Sequence, residues 1–313
     1  SLDTANALAR SLLSRYSQET TELVDLNHMR KTPLKLRFTK MEGTGNDYIY
    51  FDCMQYEIPS PESISVVLSD RHFSIGSDGI IMILPSTIAD AKMRIFNRDG
   101  SEGKMCGNGI RCVAKYLYEH NIVRKSRMTI ETLSGVRSLH LYIQNETVNS
   151  VMVDMGKAIL EPANIPVTMD GDTAINRPLE VLGKNWSVTC LSMGNPHCVT
   201  FMDNVDTLDI TKSGPAFELH PLFPDHVNTE FVQVLNRASL KMRVWERGSG
   251  ETWACGTGAC AAAVAAVLNG YCSYDQDITV HLKGGSVTVR YSSDGTVFMT
   301  GDAKTVFQGT VEL

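Results

Sequence analysis

The chain has 313 residues, of which 43% are hydrophobic and 20% charged, with a formal net charge of −6 at pH 7. This length corresponds to one large or two medium domains, and the mild acidity without long charged runs argues against a protein that binds nucleic acid or membrane surfaces. No apolar stretch approaches the roughly 18 residues of a membrane span, and acidic residues near the start argue against a transit peptide, so we expect a cytoplasmic protein.

The predicted elements begin with an amphipathic helix in residues 1–35, where apolar residues recur at three- and four-residue steps. We interpret this segment, which Pro33 closes, as an extension docked on a partner subunit. The alternative is an appendage outside the functional fold, or an over-long start with Met29 as the native initiator. The next segment, residues 36–54, predicts a hairpin across the Gly43-Thr44-Gly45-Asn46 turn.

Short strands separated by turns dominate the rest of the chain. Helical patterns occur only around residues 60–69, 107–121 and 256–269. Many hairpins with few helices are typical of an α+β fold and not of the alternating order of a parallel sheet. The further predicted strands are GIIMILPS, AKMRIFNRDG, RMTIETLSG, RSLHLYIQN, VNSVMVDMG, WSVTCLSMG, TEFVQVLN, LKMRVWERG, DITVHLKGG, SVTVRYSS and TVFMTGD.

Eight cysteines are the unusual feature of the composition. An even number suggests disulfide pairing, but a chain of this length with no secretory signal favours reduced thiols. The sequence contains no Cys-x-x-Cys, so the usual signatures of zinc ribbons and thiol redox sites are missing. The cysteines are therefore either buried structural residues or catalytic thiols.

Two of these cysteines belong to a weak internal repeat. Residues 105–114 and 254–263 each contain a cysteine, a Gly-x-Gly turn and an apolar helix. Cys106 and Cys255 are 149 positions apart, which is close to half the chain. A duplicated strand-and-helix domain would produce this pattern.

A Gly-x-Gly turn at a helix N-terminus has a definite chemical use. The first N–H groups of the helix have no intrahelical partner, and together with the helix dipole they can hold a carboxylate. The same field favours the thiolate form of a cysteine placed there. If the two turns face each other, one thiolate can remove a proton from a carbon while the opposite thiol delivers one. This arrangement indicates two-base racemisation or epimerisation without a cofactor.

Three other interpretations of the turns stay open. Both turns could be structural helix starts with buried cysteines. The sequence from Gly256 to Ala261 formally fits a dinucleotide-binding fingerprint, although no βαβ unit surrounds it. A metal site formed by Cys106, Cys112, Cys255 and Cys260 is disfavoured, because helical spacing points the second cysteine of each pair away from the first.

Four longer motifs carry a resemblance to a known family. FTKMEGTGNDYIYFD, IFNRDGSEGKMCGNGIRC, SMGNPHCV and WERGSGETWACGTGACAA together resemble the diaminopimelate epimerase family. The resemblance runs from about residue 36 to the end of the chain. It implies reversible interconversion of LL- and meso-diaminopimelate, a step of lysine and peptidoglycan biosynthesis, with no cofactor and with a homodimer as the assembly.

The resemblance also implies the architecture. We expect two pseudo-symmetric domains, each a curved and mostly antiparallel sheet or barrel around a central helix. The first domain, with Cys106, comprises residues 36–150 and 302–313. The second domain, with Cys255, comprises residues 151–301.

Site residues follow from the same resemblance. Cys106 and Cys255 match the two catalytic acid/bases, and His197 is a candidate for a supporting role beside the cleft. The glycine turns that bind the reacting end of the substrate comprise Gly107, Asn108, Gly256 and Thr257. The residues that match the substrate-gripping positions are Asn46, Asn97, Asn195, Asn228, Glu246 and Arg247. The distal end of the substrate carries an ammonium group, from which Glu246 can accept, and a carboxylate, which the planar guanidinium of Arg247 can hold.

Each of these positions has a simpler alternative, and two positions depart from the family pattern. Asn46, Asn97 and Asn195 could merely shape turns, and Glu246 with Arg247 could be a solvated surface pair. Ser74 stands where a glycine is common, and Gly79 replaces a glutamine that reaches the site in some members. Alternative functions are a racemase of another amino acid, such as proline or histidine, or a non-catalytic relative that binds ligands.

Overall fold

A computed structural model describes residues 34–313, so the predicted N-terminal helix lies outside the described residues. The described chain forms two units, residues 37–309 and the end segments 34–36 and 310–313. In the end segments, Leu34 and Leu313 each donate a backbone N–H to the carbonyl oxygen of the other at 3.0 Å.

The described residues contain eighteen strands and four α-helices. The first nine strands are β1 (Lys35–Gly43), β2 (Asn46–Asp52), β3 (Gly79–Leu84), β4 (Ala91–Asn97), β5 (Glu102–Gly103), β6 (Arg127–Thr132), β7 (Gly135–Gln144), β8 (Thr147–Lys157) and β9 (Ala174–Val181). The other nine are β10 (Lys184–Ser192), β11 (Pro196–Phe201), β12 (Asn228–Asn236), β13 (Ser239–Glu246), β14 (Gly250–Glu251), β15 (Asp277–Leu282), β16 (Gly285–Tyr291), β17 (Thr296–Gly301) and β18 (Lys304–Glu312). The helices are α1 (Pro61–Leu68), α2 (Gly107–Glu119), α3 (Ile210–Glu218) and α4 (Gly256–Leu268).

Strand pairing repeats from one half of the chain to the other. In the first half, β1 pairs antiparallel with β2, β2 parallel with β3, β3 antiparallel with β4, and β4 parallel with β6. In the second half, β10, β11, β12, β13 and β15 pair in the same order and the same directions. Each half ends in two further antiparallel pairs, and β8 then pairs antiparallel with β17 to join the halves.

From β2 to α2 the repeat holds residue by residue with an offset of 149, whereas β1 and β6 match β10 and β15 with an offset of 150. Ile49 of β2 pairs with Ile80 of β3, and Cys198 of β11 pairs with Thr229 of β12. Arg94 pairs with Glu102 through Nε and Oε1 at 2.7 Å, and Arg243 pairs with Glu251 through the same atoms at 2.8 Å. The duplication suggested by two short motifs therefore extends over the strands around them.

Helices α2 and α4 are central in the core. Every residue of α2 from Gly107 to Tyr118 is buried, and α4 is buried from Gly256 to Val267 except at Thr257. A helix buried on all faces must be surrounded by the sheet, because no side remains for solvent. The expected α+β fold with a central helix in each half is confirmed.

Helix α3 is the element that sequence patterning missed. It contains Gly214 and Pro215, which both weaken a helical prediction. Its first residue, Ile210, lies 149 positions beyond Pro61, the first residue of α1, so the duplication itself carried the missing signal. The three predicted helices are confirmed with bounds within two residues of those expected, and so is the β1–β2 hairpin, where Gly43 pairs with Asn46.

Candidate active site

The two Cys-Gly-x-Gly turns start the two central helices. Cys106 and Cys255 are the N-cap residues of α2 and α4, and both have extended backbone angles. Each sulfur accepts a hydrogen bond from the backbone N–H three residues later, Gly109 for Cys106 and Gly258 for Cys255, at 3.3 Å in both cases. The thiols thus satisfy helix donors that would otherwise lack a partner.

The structure brings the two turns together at Met299 of β17. A Cβ at Gly107 would lie 2.7 Å from Cε of Met299, and a Cβ at Gly256 would lie 3.3 Å from the same atom. The Cβ at Gly256 would also be 3.5 Å from Oδ1 of Asn108, a residue of the other turn. Both glycines therefore lie in close contact with the end of the Met299 side chain, where the two helix starts meet.

Burial raises the pKa of both thiols, which differs from the expectation that helix N-termini would lower them. For Cys106 the backbone N–H groups of Gly109 and Asn108 and the charge of Arg111 oppose this rise. For Cys255 the charges of Glu246 and Glu230 add to it, and its pKa lies well above the usual value. Burial removes the water that would stabilise a thiolate. This loss raises the pKa of each thiol by more than the helix N–H groups lower it.

Neutral amides and one buried cation surround Cys106. The thiol donates to Oδ1 of Asn46 at 3.3 Å, and Nδ2 of Asn108 donates to the same oxygen at 3.5 Å. Arg111 on α2 is fully buried and donates to Oδ1 of Asn108 and to Oγ1 of Thr44 at 3.0 and 2.9 Å. It also donates to the carbonyl oxygens of Gly107 and Asp302. Arg111 therefore ties the helix start to the β1–β2 turn.

Carboxylates and a histidine surround Cys255. Its sulfur lies 3.5 Å from Oγ1 of Thr257, which accepts from Nδ2 of Asn195 at 3.3 Å. Oδ1 of Asn195 lies 3.0 Å from Nε2 of His197, and Nδ1 of that ring lies 2.7 Å from Oε1 of Glu230. His197 and Glu230 are both fully buried. One continuous hydrogen-bonded chain thus leads from Glu230 to Cys255.

Glu246 lies at the end of β13, where its carboxyl group acts on both thiols. Its charge raises the pKa of Cys255 and, less strongly, that of Cys106. Burial raises the pKa of Glu246 itself, although the hydroxyl of Thr252 donates to its carboxylate and opposes the rise. Glu246 is therefore half-buried and acts on the site, whereas the side chain of its neighbour Arg247 is exposed.

Arg247 lies in the turn that follows β13, and Asn228 is the first residue of β12. The backbone N–H of Arg247 donates to Oδ1 of Asn228 at 3.0 Å, and Nδ2 of Asn228 donates to the carbonyl oxygen of Pro196, also at 3.0 Å. The guanidinium of Arg247 donates to the carbonyl oxygen of Asp225 at 3.0 Å. Asn228 thus links this turn to the start of β11, which follows Asn195 directly.

Helix α3 supports this turn through Glu218, which sequence analysis did not single out. Oε2 of Glu218 accepts from Nε1 of Trp245 at 2.7 Å, and Oε1 accepts from the backbone N–H of Gly248 at 2.8 Å. Burial alone would raise the pKa of Glu218, but these hydrogen bonds lower it overall. A Cβ at Gly214 would collide with the Trp245 ring, so this glycine allows α3 to pack against β13.

Asn97 and Gly79 have more local surroundings. Nδ2 of Asn97 donates to Oγ of Ser101 at 3.1 Å in the β4–β5 turn. Gly79 has φ of +154°, and a Cβ there would collide with the carbonyl oxygen of Phe96. The backbone at this position therefore requires glycine and leaves no room for a side chain. Ser74 donates its backbone N–H to the carbonyl oxygen of Asp70, as part of the loop before β3.

Arg111 and Glu230 also escaped the sequence analysis. Each is a charged residue followed directly by apolar residues that the fold buries, and that contrast was the available signal. All eight cysteines are free thiols, and apart from Cys106 all are buried.

Two further classes of feature are absent from residues 34–313. No group of three or more His, Cys, Asp or Glu side chains is placed to hold a metal ion. No helix in this part of the chain is long and apolar enough to cross a membrane.

Comparison with solved structures shows what fold this is. A probable proline racemase from Agrobacterium radiobacter K84 superposes with a TM-score of 0.68 at 13% identity, covering 89% of this chain and 93% of that one. A hydroxyproline epimerase from Agrobacterium vitis superposes with a TM-score of 0.64 at 14% identity, covering 89% and 93%. At these identities the likeness concerns the fold alone.

Sequence relatives are much closer. A protein from Acetivibrio thermocellus called diaminopimelate epimerase is 51% identical over 279 residues, which cover 89% of this chain and 99% of that protein. One of the same name from Desulfovibrio desulfuricans is 52% identical over 281 residues, covering 88% and 97%. The family model for diaminopimelate epimerase matches residues 38–161 and 189–306. The chain belongs to the diaminopimelate epimerase family.

Proposed function

We propose that this protein interconverts LL- and meso-diaminopimelate by a cofactor-independent, two-thiol mechanism. The observation that carries the proposal is the meeting of two cysteine-capped helix starts at Met299. Relatives that are about half identical in sequence and carry this name support the choice of substrate.

The proposed reaction uses Cys106 and Cys255 on opposite faces of the α-carbon. One cysteine acts as a thiolate and takes the α-proton, and the opposite thiol gives its proton to the other face of the carbanion. The thiolate and the thiol exchange roles, so no net proton is gained or lost. Gly107, Asn108, Gly256 and Thr257 would hold the α-carboxylate with helix N-terminal N–H groups and stabilise the charge that develops there.

The remaining substrate groups need partners for two ammonium groups and a second carboxylate. The sequence led us to expect Glu246 at the distal ammonium group, but because its charge acts on both thiols, we propose that it accepts from the ammonium group at the reacting carbon. A cation bound there would offset the carboxylate charge that disfavours a thiolate at Cys255. Arg247 would hold the distal carboxylate, and the amides of Asn46, Asn97, Asn195 and Asn228 would complete the binding of this zwitterion.

His197 supports the same site from one layer further out. Its ring contacts Asn195 and Glu230 and is fully buried, so we propose that it orients Asn195 and does not touch the substrate.

We also propose the two-domain division of residues 36–150 with 302–313 and residues 151–301. The matching order of strand pairs in the two halves supports it. For the assembly we propose a homodimer. We propose the cytoplasm as the compartment, because two free thiols must stay reduced for this mechanism.

The decisive experiment is epimerisation of LL-diaminopimelate by the purified protein in deuterated water. Cys106→Ser and Cys255→Ser should each lower kcat by about 10²–10⁴-fold, the usual contribution of a general acid or base. Cys112→Ala and Cys260→Ala change buried cysteines on the same helices and should retain activity. A wild-type rate in either serine variant would disprove the two-thiol mechanism. Deuterium incorporation into proline or histidine but not into diaminopimelate would assign a different racemase activity.

A further inference from the structure

The amide of Asn46 touches three groups, and Asp78 determines which end of the amide faces which group. Nδ2 of Asn46 donates to Oδ2 of Asp78 at 2.7 Å. A carboxylate only accepts hydrogen bonds, so the NH₂ end of the amide must face it. The carbonyl end then faces the opposite way, toward the Cys106 thiol and the amide of Asn108.

Asp78 is itself held in one orientation. Its Oδ1 accepts from Nη2 of Arg71 at 2.9 Å, and its Oδ2 also accepts from the backbone N–H of Asp47 at 3.3 Å. The same guanidinium donates to both carboxylate oxygens of Asp47 at 2.7 and 3.3 Å, and Lys40 forms a further ion pair with Asp47. Both oxygens of Asp78 are therefore committed to donors.

We propose that Asp78 is a positioning residue that fixes the Asn46 amide with its acceptor oxygen toward the sulfur of Cys106. The catalytic meaning of this inference rests on the proposed function, whereas the direction of the hydrogen bonds does not. An acceptor at the sulfur stabilises the S–H form of Cys106, which is the form that delivers a proton to the carbanion.

The second half of the molecule lacks this device. The residues that match Asn46 and Asp78 at the offset of 149 are Asn195 and Val227. Asn195 meets the ring of His197 instead of a carboxylate. Orientation of the asparagine amide by a hydrogen-bonded carboxylate is therefore specific to the Cys106 half of the site.

Asp78→Asn tests the proposal with an isosteric change. The new NH₂ group would meet a donor on either side, but the cationic Arg71 at 2.9 Å repels it more than the backbone N–H of Asp47 at 3.3 Å does, so we expect it to face Asn46. Asn46 then turns its oxygen toward the new NH₂ group and its own NH₂ group toward Cys106. A donor at the sulfur favours the thiolate, so the pKa of Cys106 should fall by about one unit, the effect of exchanging one neutral hydrogen bond.

The measurement is the pH dependence of alkylation of Cys106 by iodoacetamide, followed by peptide mass spectrometry in the full-length protein. The charged and titratable groups that act on Cys106 include Arg111, Glu246 and Tyr48, and they are unchanged in every variant. Asp47→Asn is the matched control, since it removes one charge from the same cluster without contacting the Asn46 side chain. It should shift the pKa of Cys106 by much less than Asp78→Asn does.

A double variant separates positioning from a field effect. With Asn46→Ala in place, adding Asp78→Asn should leave the pKa of Cys106 unchanged, because no amide remains to be turned. A shift of the same size in that background, an equal shift in Asp47→Asn, or no shift in Asp78→Asn would overturn the proposal. If Asp78→Asn fails to fold, Asp78→Ala releases the amide and should give a smaller fall in the same direction, and an unchanged or higher pKa would contradict us. This titration needs no diaminopimelate, so failure of the proposed function would leave its result interpretable.

Discussion

The Cys106 turn and the Cys255 turn are built on matching backbone positions, but their surroundings differ in charge. Arg111 is a buried cation beside Cys106, and the matching residue on the other helix is Cys260. Glu230 is a buried carboxyl group beside Cys255, and its match in the first half is Ile81. A third pair completes the contrast, with neutral Asn97 in the first half matching Glu246 in the second.

This difference shows how a duplicated fold can serve a reacting carbon whose two faces are not equivalent. The duplicated backbone places one thiol at each helix start with the same N–H contact at 3.3 Å. A few substitutions at matching positions then give each thiol its own electrostatic environment. An epimerase needs this distinction, because the two faces of the reacting carbon meet different substrate groups.

The largest expected effect comes from removing the cation of the first half. Arg111→Met leaves acceptors on Asp302, Gly107, Asn108 and Thr44 without their donor. Urea unfolding should show a loss of roughly 3 kcal/mol or more, since each buried unpaired group costs about 1–3 kcal/mol. Alkylation should show a higher pKa for Cys106 and an unchanged one for Cys255, because the charge of Arg111 lowers the pKa of Cys106. An equal change at Cys255 would show that the two environments are not separate.

The second prediction converts the second half to the pattern of the first. Glu230→Ile removes the partner of the buried His197 ring and should cost roughly 2 kcal/mol in urea unfolding. His197→Tyr supplies the residue found at the matching position, Tyr48. The double variant should lose less than the sum of the two single variants, because the two side chains are in direct contact. If the losses of the two single variants simply add up in the double variant, His197 and Glu230 contribute to stability independently.

A matched pair of glycines gives the third prediction. A Cβ at Gly258 would lie 2.7 Å from Oε1 of Glu230, whereas a Cβ at Gly109 would lie 2.6 Å from Cδ1 of Ile81. The end of an isoleucine side chain can turn away, but the carboxylate is held by His197. Gly258→Ala should therefore lose about 1–2 kcal/mol in urea unfolding. Gly109→Ala should be nearly neutral, since alanine gains about 1 kcal/mol in helix propensity. Equal losses would contradict this reasoning.

The smallest effects concern pH, and they have opposite signs in the two halves. Burial raises the pKa of Glu246 above the usual 4.5. The stability that the protonated carboxyl group contributes to the folded state is therefore complete below pH 4.5 and is lost as pH rises through the pKa of the folded protein. Glu246→Gln should therefore gain stability relative to the wild type as pH rises from about 4 to 7.

Asp47 behaves in the opposite way. Although burial would raise its pKa, hydrogen bonds from Arg71 and Lys40 lower it, so its contribution is present above pH 4 and lost as pH falls. Asp47→Asn should lose stability relative to the wild type at pH 7 and recover toward pH 3. Urea unfolding across this range measures both variants, and parallel curves for the two would refute the contrast.

Much of the site could be read from the sequence because its parts are local. A glycine turn before an apolar helix predicts a helix start, and alternating apolar residues predict a half-buried strand. The bounds of α2 and α4, the β1–β2 hairpin and the two cysteine N-caps were all predictable in this way. The offset of 149 also contained α3, although Gly214 and Pro215 concealed its own helical pattern.

The sequence by itself determined the fold class, the duplication and the positions of the two cysteines at the helix starts, because these depend on short-range patterns and on motif spacing. Only the tertiary structure decided the charge around each thiol and the direction of the Asn46 amide. Arg111, Glu230 and Asp78 are far in sequence from some of the groups they contact, and their effects depend on burial and hydrogen-bond partners. Desolvation also reversed the expected direction of the thiol pKa, since no sequence pattern records how much water a group loses on folding.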